Sequence, residues 1–469
     1  MSELPAPVPS DIRQSPSIYD ENNTILLAYL AHIGAALADR DVLTLRNDVA
    51  GLHETELADL VEALQPEQRN ALVQLLGKEF DFAALTEVDE AIRKEIFESI
   101  PSDQLADAVQ ELDSDDAVYI LEDMDEKDQE AILAQMPFPE RVRLRRALDY
   151  PEDTAGRRMQ SEFIAVPAYW TVGQTIDHMR DDNDLPDRFS QIHVIDPSFK
   201  LTGAVDLDRL LRTKRHVKID DIMHETRHAI PATMDQEEAA QLFQQYNLLS
   251  AAVVDDSDRL VGVLTIDDVV DVIQEEADED IKRLAGVGDE EISDKFLETA
   301  KSRWPWLFVN TVTALISSSV IGLFDGSIGK MVALAVLMPI VASMGGNAGT
   351  QTMTVTVRAL ATRDLDIYNA ARVIRRELMV GLANGLLFAL IVGSVAAYWF
   401  QQTDLGIVIG VALMVNLIFA ALAGILIPLF LDKIGADPAL ASGVFVTMTT
   451  DLIGFVGFLG IATWWFGLW

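Results

Sequence analysis

A chain of 469 residues with a formal net charge of −38, 49% hydrophobic residues and no cysteine is too long for one ordinary domain. Its acidity argues against a nucleic-acid binder, which needs clustered Lys and Arg, and the missing thiols rule out a disulfide framework or a thiolate metal site. Residues 304–469 hold only 7 Lys or Arg and 8 Asp or Glu, leaving 29 basic and 66 acidic residues in 1–303, so the soluble part is suited to cationic partners.

Residues 1–23 read as a disordered tail, and Met1 to Ser10, Pro-rich with Glu3, has no basic start followed by an apolar core. This is not the pattern of a cleaved leader, and the first 300 residues are expected in the cytoplasm. Residues 24–150 read as an acidic, all-α domain of short amphipathic helices with a loose repeat: Leu57–Leu64, Leu105–Leu112 and Val118–Met124, each followed by a polar break such as Gln65-Pro66-Glu67. Helices that cannot bury their faces alone stack into a superhelix. Over 151–277 a second repeat appears, with Ile192–Asp196 and Leu201–Val205 mirroring Ala252–Asp255 and Leu260–Leu264, and Gly203 standing 59 residues before Gly262. Two such α/β modules, each with a Gly turn between short strands and then a helix, resemble a tandem pair of CBS domains. Thr265 and Asp268 match that family's nucleotide-contacting pattern, which implies ATP there; Asp206 and Arg209 depart from the pattern in the first module. Residues 278–303 read as a long connecting helix, acidic from Asp278 and basic towards Lys295, Lys301 and Arg303.

Five stretches within 304–469 are long and apolar enough to cross a bilayer: about 304–324, 331–357, 378–400, 405–431 and 442–469. Lys301 and Arg303 before the first, and Arg358, Arg363, Arg372, Arg375 and Arg376 after the second, mark the cytoplasmic side. An odd number of spans then puts the C-terminus outside, with the N-terminus in the cytoplasm. Asp451 falls deep within an apolar segment, where a carboxylate normally faces a water-filled pathway or an ion. The second stretch carries Pro339, Gly345, Gly346 and Gly349, expected to interrupt helical hydrogen bonding and offer carbonyl and amide oxygens to a hydrated cation; close packing through small residues is the plainer explanation.

The whole arrangement resembles the MgtE family of magnesium channels, on Tyr150–Gly156, Thr265–Ile273, Gly345-Gly-Asn-Ala-Gly-Thr-Gln351, Arg358–Asp364, and Ala436–Ser442 through Thr450-Asp451. The resemblance implies a homodimer in the inner membrane, with a plug helix at 278–303 and a pore lined by Gly345, Gly346, Asn347, Thr350, Gln351 and Asp451. It also implies regulatory magnesium ligands at Asp268, Asp271, Glu276, Glu279, Asp280, Asp235, Glu237 and Asp437, with Asp115 and Asp116 in the N domain. Cytosolic magnesium bridging these acids would close the channel, a negative feedback on uptake. Cobalt, nickel and manganese are further candidate cargoes. The alternative is a proton-coupled divalent-cation transporter, since a lone intramembrane Asp could titrate. An enzyme is not expected, because one chain offers a single intramembrane carboxylate and no hydrolase motif.

Overall fold

The computed structural model describes residues 18–22, 24–49, 51–182, 185–186, 188–225, 228–288, 296–365 and 369–469. The chain divides after Ile273 into two compact units.

The first unit begins with short helices from Leu27–Asp39 to Phe138–Leu148. Their starts are set locally: His53 and Glu56 form a reciprocal capping box, and the Gln65 amide donates to the Gln68 side chain ahead of Pro66 at the first helical position, satisfying amide donors that a helix leaves unpaired. The three repeated segments fall on the helices Glu54–Ala63, Ser102–Gln110 and Ser114–Glu122. Each buries one stripe, such as Leu105, Ala106, Ala108 and Val109, in a core centred on Leu60, Leu72, Ile96 and Leu121. The tail expected over 1–23 lies outside the described residues as far as residue 17, but Ile18 is only 3% exposed and Tyr19 bridges Ile25. Burial of one isoleucine and the Tyr19 hydroxyl's bond to Asp59 anchor the chain earlier than its composition predicts.

Two sheets of identical plan follow. Strand β1 (Ala165–Pro167) runs parallel to β2 (Gln191–Ile195), which pairs antiparallel with β3 (Leu201–Asp206); β4 (Ile230–Pro231), β5 (Ser250–Val254) and β6 (Leu260–Thr265) repeat the order and directions. Both antiparallel pairs shift register at the same place, between Val194 and Ile195 and between Val253 and Val254. Gly203 and Gly262 occupy equivalent positions, and a side chain at either would stand 2.7 Å from the His224 carbonyl or 2.8 Å from that of Gln160. Both lie inside strands and not in the turns expected of them, because each is needed where another stretch of backbone passes close by.

A 19-residue helix, Ile266–Leu284, leads out of the first unit. The connecting helix expected over 278–303 stops at Leu284: Gly286 adopts φ 72°, the amides of Gly286 and Val287 bond back to Arg283 and Lys282, and such a left-handed glycine terminates a helix. Lys295 lies outside the described residues, and helix resumes at Phe296, running without a break to Gly322.

Among the described residues, the second unit has five helices long and apolar enough to cross a membrane: Thr299–Gly322, Ala333–Ala361, Ala370–Phe400, Thr403–Lys433 and Ser442–Phe466. The fourth is enclosed by the second, third and fifth. Small residues let backbones touch, as lipid supplies no hydrophobic drive for helix association: a side chain at Gly406 would stand 2.4 Å from the Gly393 carbonyl, and one at Gly424 2.7 Å from that of Gly349. The second span is a continuous helix despite Pro339 and its glycines. Pro339 still removes one hydrogen bond, to the Ala335 carbonyl, but the glycines do not break the helix: Gly345 and Gly349 stay helical and admit neighbouring side chains.

Candidate functional site

In the first unit, Asp115 and Asp116 open the helix Ser114–Glu122, while Asp268 and Asp271 lie on the helix beginning at Ile266. Burial holds the Asp115 carboxyl well above the usual range, with the charges of Asp268 and Asp116 adding to it. Asp116 is pushed up to about 7, by burial first and by Asp268 second. Asp268 also rises to about 7, through burial partly opposed by a hydrogen bond donated from the Thr265 hydroxyl. Asp271 is raised by burial and then by Asp267. Glu87, which no sequence signal marked, is raised by burial and then by Asp271. The fold thus gathers acids from the helical domain and the second α/β module whose ionised forms repel one another, a field that attracts cations. Among the described residues, no three His, Asp or Glu converge closely enough to hold one metal ion directly.

The other predicted cytosolic ligands separate. Asp235 is the N-cap of helix Gln236–Tyr246, its Oδ1 accepting from the amides of Glu237 at 3.0 Å and Glu238 at 3.3 Å, and Glu237 accepts from the Gln241 side chain at 3.3 Å. Thr265 and Asp268 bond to each other at the start of their helix. Within the second unit, Glu279, Asp280 and Asp437 come together. Asp437 caps the helix Pro438–Phe466 through the Ala439 amide at 2.7 Å and accepts from Arg283 Nη1 at 2.6 Å, while Arg283 also pairs with Glu279. The Asp280 carboxyl is raised by burial and then by Asp437. Arg283 was not marked by the sequence, although its i, i+4 spacing from Glu279 was a signal for it. Glu276 lies near the middle of the same helix.

Asp451 sits half-buried on the fifth span with no hydrogen-bond or ion-pair partner among the described residues. Its neighbour Thr450 packs against the second span at Gly349, where a side chain would stand 3.3 Å from the Thr450 methyl. That places Asp451 level with Gly349 and Thr350. The second span is two-faced. Val341, Gly345, Gly349, Met353 and Val357 are buried, whereas Ser343, Asn347, Thr350 and Thr354, at the 3.6-residue period of one helix face, are exposed, with Gln351 beside them. Four polar side chains on the exposed face of an apolar span are anomalous for lipid contact and suit water or a second subunit. Asn347, Thr350 and Gln351 lie exposed on or beside this face, and Gly346 has open space beside it. Gly345 departs from them: it is turned inward, against Asn416 of the fourth span.

A further network escaped the sequence reading. Arg93, 3% exposed, forks onto Asp123 with N–O distances of 2.5 and 2.6 Å and lies 4.5 Å from the centre of the Tyr119 ring, which also carries Arg158 at 5.3 Å. Arg157 and Arg158 pair with Glu122 at 3.1 and 3.7 Å. These contacts link the helical domain to the chain entering the first α/β module.

Residues 52–153 match the "MgtE intracellular N domain", 219–275 a "CBS domain", and 338–461 the MgtE "Divalent cation transporter" family. The chain is 35% identical to "Magnesium transporter MgtE" of Enterococcus faecalis over 312 residues, covering 66% of this chain and 69% of the relative. It is 35% identical to the protein of that name from Thermus thermophilus over 318 residues, covering 66% and 70%, and 33% identical to that of Bacillus subtilis. Among solved structures, it is similar to the soluble part of a magnesium transporter (25% identity, TM-score 0.47, 53% of this chain and 98% of that one). It is also similar to the cytosolic domain of the Mg2+ channel MgtE in complex with ATP (27% identity, TM-score 0.49, 52% and 99%).

Proposed function

The chain belongs to the MgtE family of transporters, not enzymes, and from that premise we propose that it is a magnesium-selective channel of the inner membrane, closed by magnesium on its cytosolic acids. Magnesium transport is what its named relatives share. The observation that carries the channel reading is Asp451, the one ionisable side chain deep in an apolar stretch, without a protein partner among the described residues and level with the polar face of the second span. Two copies of the chain, each presenting that face and one carboxylate to a common axis, would form a wide site able to hold a hydrated ion. The repulsion of the two empty carboxylates favours capture.

Gating follows from the charge of the cytosolic part. With magnesium low, the carboxylates of Asp115, Asp116, Asp268 and Asp271 repel. Hydrated ions bridging them favour a compact arrangement, and ions at Asp280, Glu276, Glu279 and Asp437 would act on the helix that leads to the spans. Differential affinity for two states is enough to shift their populations. Asp235 and Glu237 are weaker parts of this scheme because both already serve local hydrogen bonds. ATP at Thr265 and Asp268 would require their mutual hydrogen bond to open. The basic residues flanking the first two spans support a cytoplasmic N-terminus and an external C-terminus.

The test is to record divalent currents from inside-out patches while magnesium is raised on the cytoplasmic face. Currents that shut off in the parent, persist in Asp268→Ala plus Asp271→Ala, and lose magnesium selectivity in Asp451→Ala are the expected result. An Asp451→Ala channel that conducts and selects like the parent would remove the pore assignment. Currents that follow a proton gradient would replace the channel by the proton-coupled transporter.

A further inference from the structure

Asn416 lies in the middle of the fourth span, the most enclosed of the five, and is 1% exposed. Its amide nitrogen donates to the Val341 carbonyl of the second span at 2.8 Å. Its Oδ1 is buried and accepts no hydrogen bond among the described residues. The side chain fits only because both facing positions are glycine: a Cβ at Gly345 of the second span would stand 2.2 Å from Nδ2, and one at Gly454 of the fifth span 2.9 Å from it. An apolar side chain would pack here without stranding an oxygen, so packing alone does not account for an amide. Buried polar residues of this kind are best attested as devices that fix register between helices.

The register in question is that of the proposed pathway. Gly345 is one turn from Gly349, which meets Thr450, and Gly454 is one turn from Asp451. We infer that Asn416 is a positioning residue for ion selection: from the fourth span it wedges the second and fifth spans at one fixed separation, one turn from the Asp451 carboxylate, and so sets the width of the site that the cation meets. This rests on the transport reading above and adds to it a residue that does not touch the ion.

The experiment uses the full chain reconstituted in liposomes, with magnesium and calcium influx measured in parallel and thermal unfolding of the purified protein as a control. Asn416→Leu keeps the number and branching of side-chain heavy atoms, at a larger volume, and removes the donor; Gly454→Ala leaves the asparagine and fills its notch. Both are expected to lower magnesium-over-calcium discrimination by about tenfold while divalent flux continues, since selection by a wide hydrated site depends on its dimensions. Discrimination within about twofold of the parent in both variants would overturn the inference. So would a loss of flux that merely tracks a loss of folded protein with discrimination intact, the signature of a packing role. If Asn416→Leu does not fold, Gly454→Ala decides by the same criterion; if neither folds, the residue's role is in the fold and the inference fails. A parent chain without magnesium flux would sink the transport reading and this inference together, whereas a selective parent with unchanged variants sinks the inference alone.

Discussion

Asp268→Asn should tighten the cytosolic acid cluster at neutral and alkaline pH, and progressively less as the pH falls towards 4. Asp268 and Asp116 carry folded-state pKa values of about 7 against an ordinary 3.8. Between those values the folded state binds more protons than the unfolded chain, so stability falls as pH rises from about 4 to about 7 and stays reduced above it. At pH 8, a shift from 3.8 to about 7 corresponds to roughly 4 kcal/mol of penalty on the ionised form of Asp268. Burial, not mutual repulsion, is its first cause, and the buried amide keeps part of that cost. The asparagine is therefore expected to recover about 1–2 kcal/mol, and its carbonyl still accepts the Thr265 hydroxyl. Hydrogen exchange of the full chain without magnesium, read on peptides spanning 102–123 and 260–273, should slow by about 5–30-fold at pH 8 and by about 2–6-fold at pH 5.5, where roughly half of the penalty is already present, after correction for intrinsic rates. Millimolar magnesium should protect the parent at pH 8 and protect the variant less, because the ion stabilises only the state that binds it. Equal protection of parent and variant at pH 8, or a gain of the same size at both pH values, would refute the electrostatic account.

Asp235→Ala should cost about 0.5–2 kcal/mol through the lost helix cap, seen as faster exchange over 236–246, with the magnesium threshold for closure unmoved; a shifted threshold would return Asp235 to the ligand set. Truncating Arg93 to alanine strands the partly buried Asp123 carboxylate and should destabilise the helical domain by about 2–4 kcal/mol, detectable by denaturant titration followed by exchange; a cost below about 1 kcal/mol would mean that Asp123 finds water or another cation. Gly406→Ala drives a methyl to 2.4 Å from the Gly393 carbonyl and should lower the stability of the membrane unit in detergent by about 1–3 kcal/mol, whereas Gly326→Ala, which meets nothing within 4 Å, should be neutral by the same assay. Arg283→Gln frees Asp437 and Glu279 from their tethered cation, so magnesium should close the channel at a lower cytosolic concentration, by about threefold to tenfold; an unchanged threshold in patch recordings would show that Arg283 does not compete with the ion.

Much of this protein is legible in the order of its residues because the relevant forces are local or periodic. Apolar stretches of bilayer length, the isolated Asp451 and the 59-residue recurrence of the α/β modules all appear without coordinates. So does the amphipathic period of the helical domain, since a face that must be buried repeats every 3.6 residues wherever its partner lies. The tertiary structure decided what sequence distance hides. It divided the candidate acids into Asp115, Asp116, Asp268 and Asp271, brought together with Glu87, and Asp235, occupied as a helix cap. It inserted Arg283 between Glu279 and Asp437, and turned Gly345 inward while leaving Asn347, Thr350 and Gln351 exposed. Composition described the second span as broken by Pro339 and its glycines, yet the helix is continuous. The reason is that a glycine reads alike as a flexible joint and as a socket for a neighbour, and only the arrival of Asn416, 71 residues later in the chain, distinguishes the two.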